Sequence, residues 1–284
     1  MTRWAVYDLR IGPPSFDFLT FLVMAKYHGA TNIWIVPGIN QAKLAWYQQQ
    51  EQEQRVNSIV IPACKLYGMP YKIEPLHGKV KDWDIAWPPY CMSAKGALHN
   101  GYMVGWLKSI REPEPFMPSS EALDRAHDRV QGRIVVHLRK TKYQDRRNSG
   151  ADWLKWAEDH NAYVLPDEPI ALEDRCALHE VAKLNIGVNA GPMTLSEYSK
   201  HRPYIILKKL AGEISTNKDF YSWQGWYPGD QYPWAGKNQM LVWNETDTYE
   251  DIENAYQQWL RATPERNSLS GSTENQEGTE PSLA

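Results

Sequence analysis

The chain has 284 residues, enough for one large α/β domain or two small ones with an ample core. With 31 lysines and arginines against 34 acidic side chains, its net charge of −3 gives no global positive field for nucleic acid or a membrane surface. No apolar run approaches the roughly 20 residues that span a bilayer, MTRWAVYDLR lacks the apolar stretch of a secretion signal, and Cys64, Cys91 and Cys176 match neither a disulfide framework nor a zinc spacing, so a cytoplasmic protein with reduced thiols and no metal is expected.

Trp4 to Leu9 is a short, mostly apolar run suited to a buried first strand, and Gly12-Pro13-Pro14 breaks it. Ser15 is placed to cap a helix, with Asp17 in the first turn where a carboxylate favours the helix dipole. Phe18, Leu19, Leu22 and Val23 give that helix an apolar stripe ending near Gly29, and Asn32 to Val36 is the second strand. Such a βαβ unit has parallel strands and a right-handed crossover, and Asp17 falls at the carboxyl edge, where α/β sheets place ligands. Lys43 to Gln54 is polar and Gln-rich, a loop or a helix. Asn57 to Leu66 carries Pro62 inside an apolar run, either a helix kinked there or two short pieces. Tyr71 to Glu74 resembles a third strand. Asp82 to Pro118 is irregular, with a helical patch possible at Gly101 to Ile110, and Arg111 to Ser119 reads as an inter-domain linker on its Pro and Glu content.

Ser120 is placed to cap a helix over Glu121 to Val130. The most informative stretch follows, RIVVHLRKTKYQDRR at 133–147. Ile134 to Leu138 reads as a buried strand, then come Arg139, Lys140, Lys142, Arg146 and Arg147, then Asn148 and Ser149 as turn and cap, then a helix from Asp152 with Trp153, Trp156 and Ala157 on one side. A buried strand that ends in a basic loop feeding a helix is a device for holding phosphate; the plainer alternative is a solvated basic loop. Residues 185–199, NIGVNAGPMTLSEYS, repeat the logic: a strand at Ile186 to Val188, a turn, a helix over Met193 to Ser199. With strands at Ala162 to Leu165 and Tyr204 to Leu207 and a helix at Asp174 to Lys183, the second half alternates as a doubly wound parallel sheet does. Phe220 to Trp234 (FYSWQGWYPGDQYPW) reads as a solvent-facing aromatic loop, Met240 to Trp243 as a last strand and Thr248 to Leu260 as a closing helix. The 13 Trp and 16 Tyr against 5 Phe suit stacking on sugars or bases as well as packing. Residues 263–284 are polar and read as a disordered tail.

Four stretches, at 7–38, 133–149, 185–199 and 224–243, carry a resemblance to small two-domain glycosyltransferases of the GT-B type, including bacterial and phage members of unassigned specificity. The resemblance implies two Rossmann-like domains with parallel sheets facing across a cleft: residues 1–115 on the acceptor side, 116–262 on the nucleotide-sugar side, and the tail beyond. It also implies hexosyl transfer from a nucleotide-diphosphate sugar to an unknown acceptor (a glycan, a small molecule or modified nucleic acid), with no metal and no other cofactor. His137-Leu138-Arg139-Lys140 looks like the H-x-R-[RK] stretch of GDP-fucose-using fucosyltransferases, which would make Arg139 the diphosphate contact, flanked by His137, Lys140, Lys142 and Arg147. Asn189, Ala190, Gly191 and Pro192 match the turn whose amides meet phosphate in heptosyltransferases, with the helix at Met193 supplying its positive end. By the same likeness Asp17 stands where a catalytic carboxylate is kept, and Glu197 could accept from a donor ribose hydroxyl. Thr141 replaces the aspartate that often follows H-x-R-R, and the chain is short for a complete GT-B enzyme. Two alternatives therefore stand beside the transferase: an inactive nucleotide-, sugar- or partner-binding protein of the same fold, and a nucleotide-sugar epimerase.

Overall fold

Short apolar runs closed by Gly, Pro and Asn, with helices between them, force crossover connections and lay successive strands parallel. The computed structural model describes residues 3–41, 44, 48–75, 107–142, 144–166 and 169–264, and in it the strands form two parallel sheets. The first has the order β1 (Trp4–Asp8), β2 (Asn32–Val36), β3 (Tyr71–Ile73), with Ala5 opposite Ile33 and Ile33 opposite Tyr71. Helix α1 (Asp17–Tyr27) links β1 to β2 and buries Phe18, Leu19, Phe21 and Leu22. Ser15 is not its cap: Phe16 takes that position with helical φ and ψ, and the Ser15 hydroxyl donates to the Asp17 carboxylate at 2.9 Å.

Between β2 and β3 the chain is helical from α2 (Gln49–Arg55) through a π turn (Val56–Val60) into α3 (Ile61–Leu66). Pro62 falls just after the run changes from π to α geometry. It sits in the first turn after the π turn, where its missing N–H costs least. The stretch expected as a linker, 111–119, lies against the core: Phe116 is fully buried and its ring meets Tyr67 at 4.6 Å. Of the helical patch expected at 101–110, only the single turn Leu107–Ser109 belongs to the described residues. The irregular stretch from Asp82 to residue 106, with Cys91, and the tail at 265–284 lie outside them.

The second sheet has the order β5-β4-β6-β7-β8, built from β4 (Ile134–His137), β5 (Tyr163–Val164), β6 (Leu184–Val188), β7 (Tyr204–Leu207) and β8 (Gln239–Leu241). In chain order its helices are α4 (Ser120–Val130), α5 (Asp152–Asp159), α6 (Leu172–Val181), α7 (Thr194–Glu197), α8 (Lys218–Trp223) and α9 (Tyr249–Ala262). Val135 packs with α4 and α6, whereas Val136, Ile186 and Ile205 pack with Trp153 and Trp156 of α5 and Trp259 of α9. Helix α4 begins one residue early, capped by Ser119, whose hydroxyl accepts from the Ala122 N–H, and α9 is closed by a capping box between Thr248 and Asp251. Ser149 caps no helix; its hydroxyl accepts from the Arg139 N–H at 3.0 Å.

One apolar cluster joins the two sheets, running from Tyr7, Phe18 and Ile35 through Phe116 to Tyr204 and Ile206. Arg202 anchors this junction from inside: its Nε donates to Glu180 at 2.6 Å and its other nitrogens to the Leu195 and Phe116 carbonyls. Residues 220–234 are not the wet loop expected. They begin in α8, and Tyr221, Trp226, Tyr232 and Trp234 are buried because their rings pack on one another, as in the 4.8 Å stack of Tyr232 on Trp234. Trp223 and Tyr227 face solvent.

Candidate functional site

Winding reverses between β4 and β6, so the loops that leave their carboxyl ends run to opposite sides and leave a crevice. The strands below it are held close: His137 is opposite Gly187, where a Cβ would lie 2.6 Å from the His137 carbonyl oxygen. The basic loop after β4 folds on itself. Arg139 donates through one nitrogen to the Gln144 carbonyl (2.8 Å) and to Asn148 Oδ1 (2.6 Å). Arg147 reaches Gln144 Oε1 at 2.8 Å and the Asn189 carbonyl at 2.7 Å, tying the loop to the turn after β6. Asp247 fixes the far end, accepting from the Gly150 amide (2.9 Å), the Trp153 indole (2.7 Å) and Lys208 Nζ (3.0 Å).

The turn after β6 is narrower than a full phosphate cradle. Pro192 has no N–H, the Asn189 amide bonds the Leu207 carbonyl at 2.8 Å and the Met193 amide bonds the Ala190 carbonyl at 3.0 Å. A phosphate here would meet the Ala190 and Gly191 amides. The Met193 side chain is in the core, and the helix after it, α7, is a single turn. Gly191 does serve a close approach, but to protein: a Cβ there would lie 2.8 Å from Phe16 Cβ.

Two cavities open at this crevice. The larger, about 410 Å³, is lined by His137, Arg139, Lys140 and Thr141 of the basic loop, by Ala190, Gly191 and Pro192 of the turn, by Asp17 and by Arg55, Arg147 and Arg175. Five cations thus surround one cavity with Asp17 as the carboxylate among its described lining. The smaller cavity, about 240 Å³, shares Ser15, Asp17, Arg147, Ala190 and Gly191 with it and adds Asn189, Glu197, Lys209 and aromatic walls from Tyr221, Trp226, Tyr232 and Trp243. Lys142 is exposed and lies outside both.

No family model, curated protein or solved structure matches this chain.

The site is therefore read from its own chemistry. The His137 ring turns inward, its Nε2 3.0 Å from Asn185 Oδ1 and its face stacked on His179 at 4.1 Å. Burial pushes the His137 imidazole down to about 3 and His179 well below its usual value, so both are neutral at pH 7. Glu197 is the opposite case. Burial raises its carboxyl above the usual range, against the opposing pull of Lys209 (3.9 Å), a hydrogen bond from Tyr232 and the charge of Arg147. Asp17 and Glu197 both bear on the buried Tyr198, whose hydroxyl donates to Thr20 Oγ1 at 2.9 Å.

Asp17, Arg139, Lys140, Arg147 and the 189–192 turn, all singled out from the sequence, line these two cavities together with Arg55, Arg175 and Lys209, which were not. Arg55 and Arg175 sit on helices and Lys209 follows β7, each in a stretch with no local motif. The one signal for Lys209 was its place at the carboxyl end of a strand. No helix among the described residues is long and apolar enough to cross a membrane, and no group of three or more His, Cys, Asp or Glu among them could hold a metal ion.

Proposed function

We propose that the chain is a glycosyltransferase using a nucleotide-diphosphate sugar, with the diphosphate in the basic cavity at the β4/β6 crevice. The observation that carries this reading is Arg55, Arg139, Lys140, Arg147 and Arg175 around a single cavity at a topological switch point. As the glycosidic bond breaks, negative charge grows on the leaving phosphate, and fixed guanidinium groups stabilise it without reorganising. Arginine suits this role because its planar fork pairs two phosphate oxygens at once. Asp17, on the wall common to both cavities, is the group to take the proton of the attacking hydroxyl. In this reading the first sheet forms the acceptor side and the second the donor side of a GT-B-like pair, acting in the cytoplasm.

A thermal-shift panel of GDP, UDP, ADP and CMP on the wild type and on Arg175→Gln tests the reading. Stabilisation by a diphosphonucleotide that is lost in the variant, together with sugar release from the matching nucleotide sugar, is the expected result. No shift with any nucleotide would overturn it. A second reading, a binding protein without turnover, is favoured by Arg139 being bonded into its own loop. It predicts the same shift with no sugar released.

A further inference from the structure

The two cavities differ in charge balance. Around the basic cavity cations outnumber carboxylates, whereas in the aromatic cavity Asp17 and Glu197 face Arg147 and Lys209, two against two. A balanced set of donors and acceptors selects an uncharged, hydroxyl-bearing occupant over an anion. The polar floor is built rather than incidental. Glu197 and Lys209 are each more than nine-tenths buried, Lys209 Nζ lies 3.9 Å from Glu197 Oε1 and 3.3 Å from Asn189 Oδ1, and Asn189 Nδ2 donates to the Tyr221 hydroxyl at 3.1 Å. The walls are braced as well: Trp226 meets Tyr232 edge-on at 5.4 Å, and Tyr221 meets Trp243 edge-on at 5.0 Å. Flat aromatic walls over a polar floor match a ring with C–H faces and hydroxyl edges. At about 240 Å³ the chamber is below the ~300–1,000 Å³ of sites for drug-sized ligands, which leaves room for one ring and not for a nucleotide.

We propose that the aromatic cavity seats one neutral pyranose ring, with Glu197, Lys209 and Asn189 reading its hydroxyls and Tyr221, Trp226, Tyr232 and Trp243 walling it in. This deepens the glycosyltransferase reading and rests on it for the origin of the sugar, which is the donor's own hexose or a ring of a separate acceptor. Glu197 becomes a specificity-determining contact, in place of the ribose partner implied by the resemblance.

The test is tryptophan fluorescence and saturation-transfer NMR with the methyl glycosides of glucose, galactose, mannose, fucose and N-acetylglucosamine. Methyl glucuronide, uridine, guanosine and pyrophosphate serve as contrasts. At least one neutral glycoside should bind in preference to the glucuronide. Its affinity should fall on the order of tenfold or more in Glu197→Gln, which replaces the carboxyl by an amide at nearly constant shape. Pyrophosphate binding should be unchanged in that variant, and Lys209→Met should repeat the loss if Glu197→Gln folds poorly. Competition between UDP-glucose or GDP-fucose and the bound glycoside would assign the ring to the donor, and simultaneous binding would assign it to the acceptor; either result supports the site. Binding of none of the neutral glycosides, or a nucleoside occupying the same tryptophans, would overturn it. Failure of the wild type to bind pyrophosphate, with a neutral glycoside still bound, would overturn the diphosphate reading and leave the sugar site standing.

Discussion

Asp247→Ala tests how the basic loop is held. One carboxylate, its side chain 8% exposed, receives the Gly150 amide at 2.9 Å, the Trp153 indole at 2.7 Å and Lys208, itself 11% exposed, at 3.0 Å. A hydrogen bond to a charged group contributes about 1.5–3 kcal/mol. Removing one partner of a buried ion pair costs about 3–5 kcal/mol, because the other charge is stranded. The three interactions share one acceptor and do not add, so the expected loss is set by the larger figure, about 3–5 kcal/mol. For a domain of this size that lowers Tm by about 6–20 °C. The double variant Asp247→Ala/Lys208→Met removes the stranded charge and should recover about 1–2 kcal/mol relative to Asp247→Ala alone. Urea and thermal unfolding followed by circular dichroism read both variants. Pyrophosphate affinity should fall in parallel, since Gly150 loses its acceptor and Lys208, which also donates to the Asn148 carbonyl at 2.8 Å, loses its carboxylate. A loss under about 1 kcal/mol, typical of a solvated pair, or strictly additive effects in the double variant, would refute the claim that this node organises the loop.

The buried histidines predict acid lability with a defined sign. Both imidazoles are held below their usual value of 6.5, so their contribution is full above that pH and is lost as pH falls below it (toward about 3 for His137), the unfolded chain taking up the protons. Urea midpoints from pH 7 to pH 4 should drop less steeply in His137→Gln/His179→Gln than in the wild type, and parallel slopes would count against the pair. Glu197 works the other way: its raised carboxyl gives stability that is full below its usual 4.5 and fades as pH climbs through the raised value. Glu197→Gln should flatten that decline, as followed by Tm against pH. Gly187→Ala would place a Cβ 2.6 Å from the His137 backbone oxygen, so β4 and β6 must move apart. A loss of about 1–3 kcal/mol is expected from such overpacking, and unchanged Tm would argue that the crevice is not closed this tightly.

Elements whose signal is local were legible. Tyr204–Leu207 is a strand as read, and the parallel order follows from alternation of strand and helix. The convergence of Arg139 with Gly191 on one cavity followed from a rule about carboxyl edges of α/β sheets, without any knowledge of side-chain positions. What was not legible depends on partners distant in sequence. Arg175 looks like any helical surface arginine until α6 is laid beside β4, and Phe116 looks like linker until it meets Tyr67. Trp226 and Trp234, among Gly, Pro and Asp, look solvated because the local pattern lacks a period, yet each ring packs on Tyr232. Single-residue shifts of helix caps, as from Ser120 to Ser119, reflect two neighbouring serines with equal local fitness for the role.

The cluster shared between the sheets constrains how a ligand of the proposed site could enter. Swinging one half away from the other would bare Phe18, Tyr198 and Phe116 to water and break the Tyr198–Thr20 link, a large hydrophobic penalty for a simple hinge. On the proposed reading, access then comes from small rearrangements of cavity-wall side chains such as Phe220 and Tyr221. The rate of the proposed uptake should then track local motion of those side chains rather than separation of the halves.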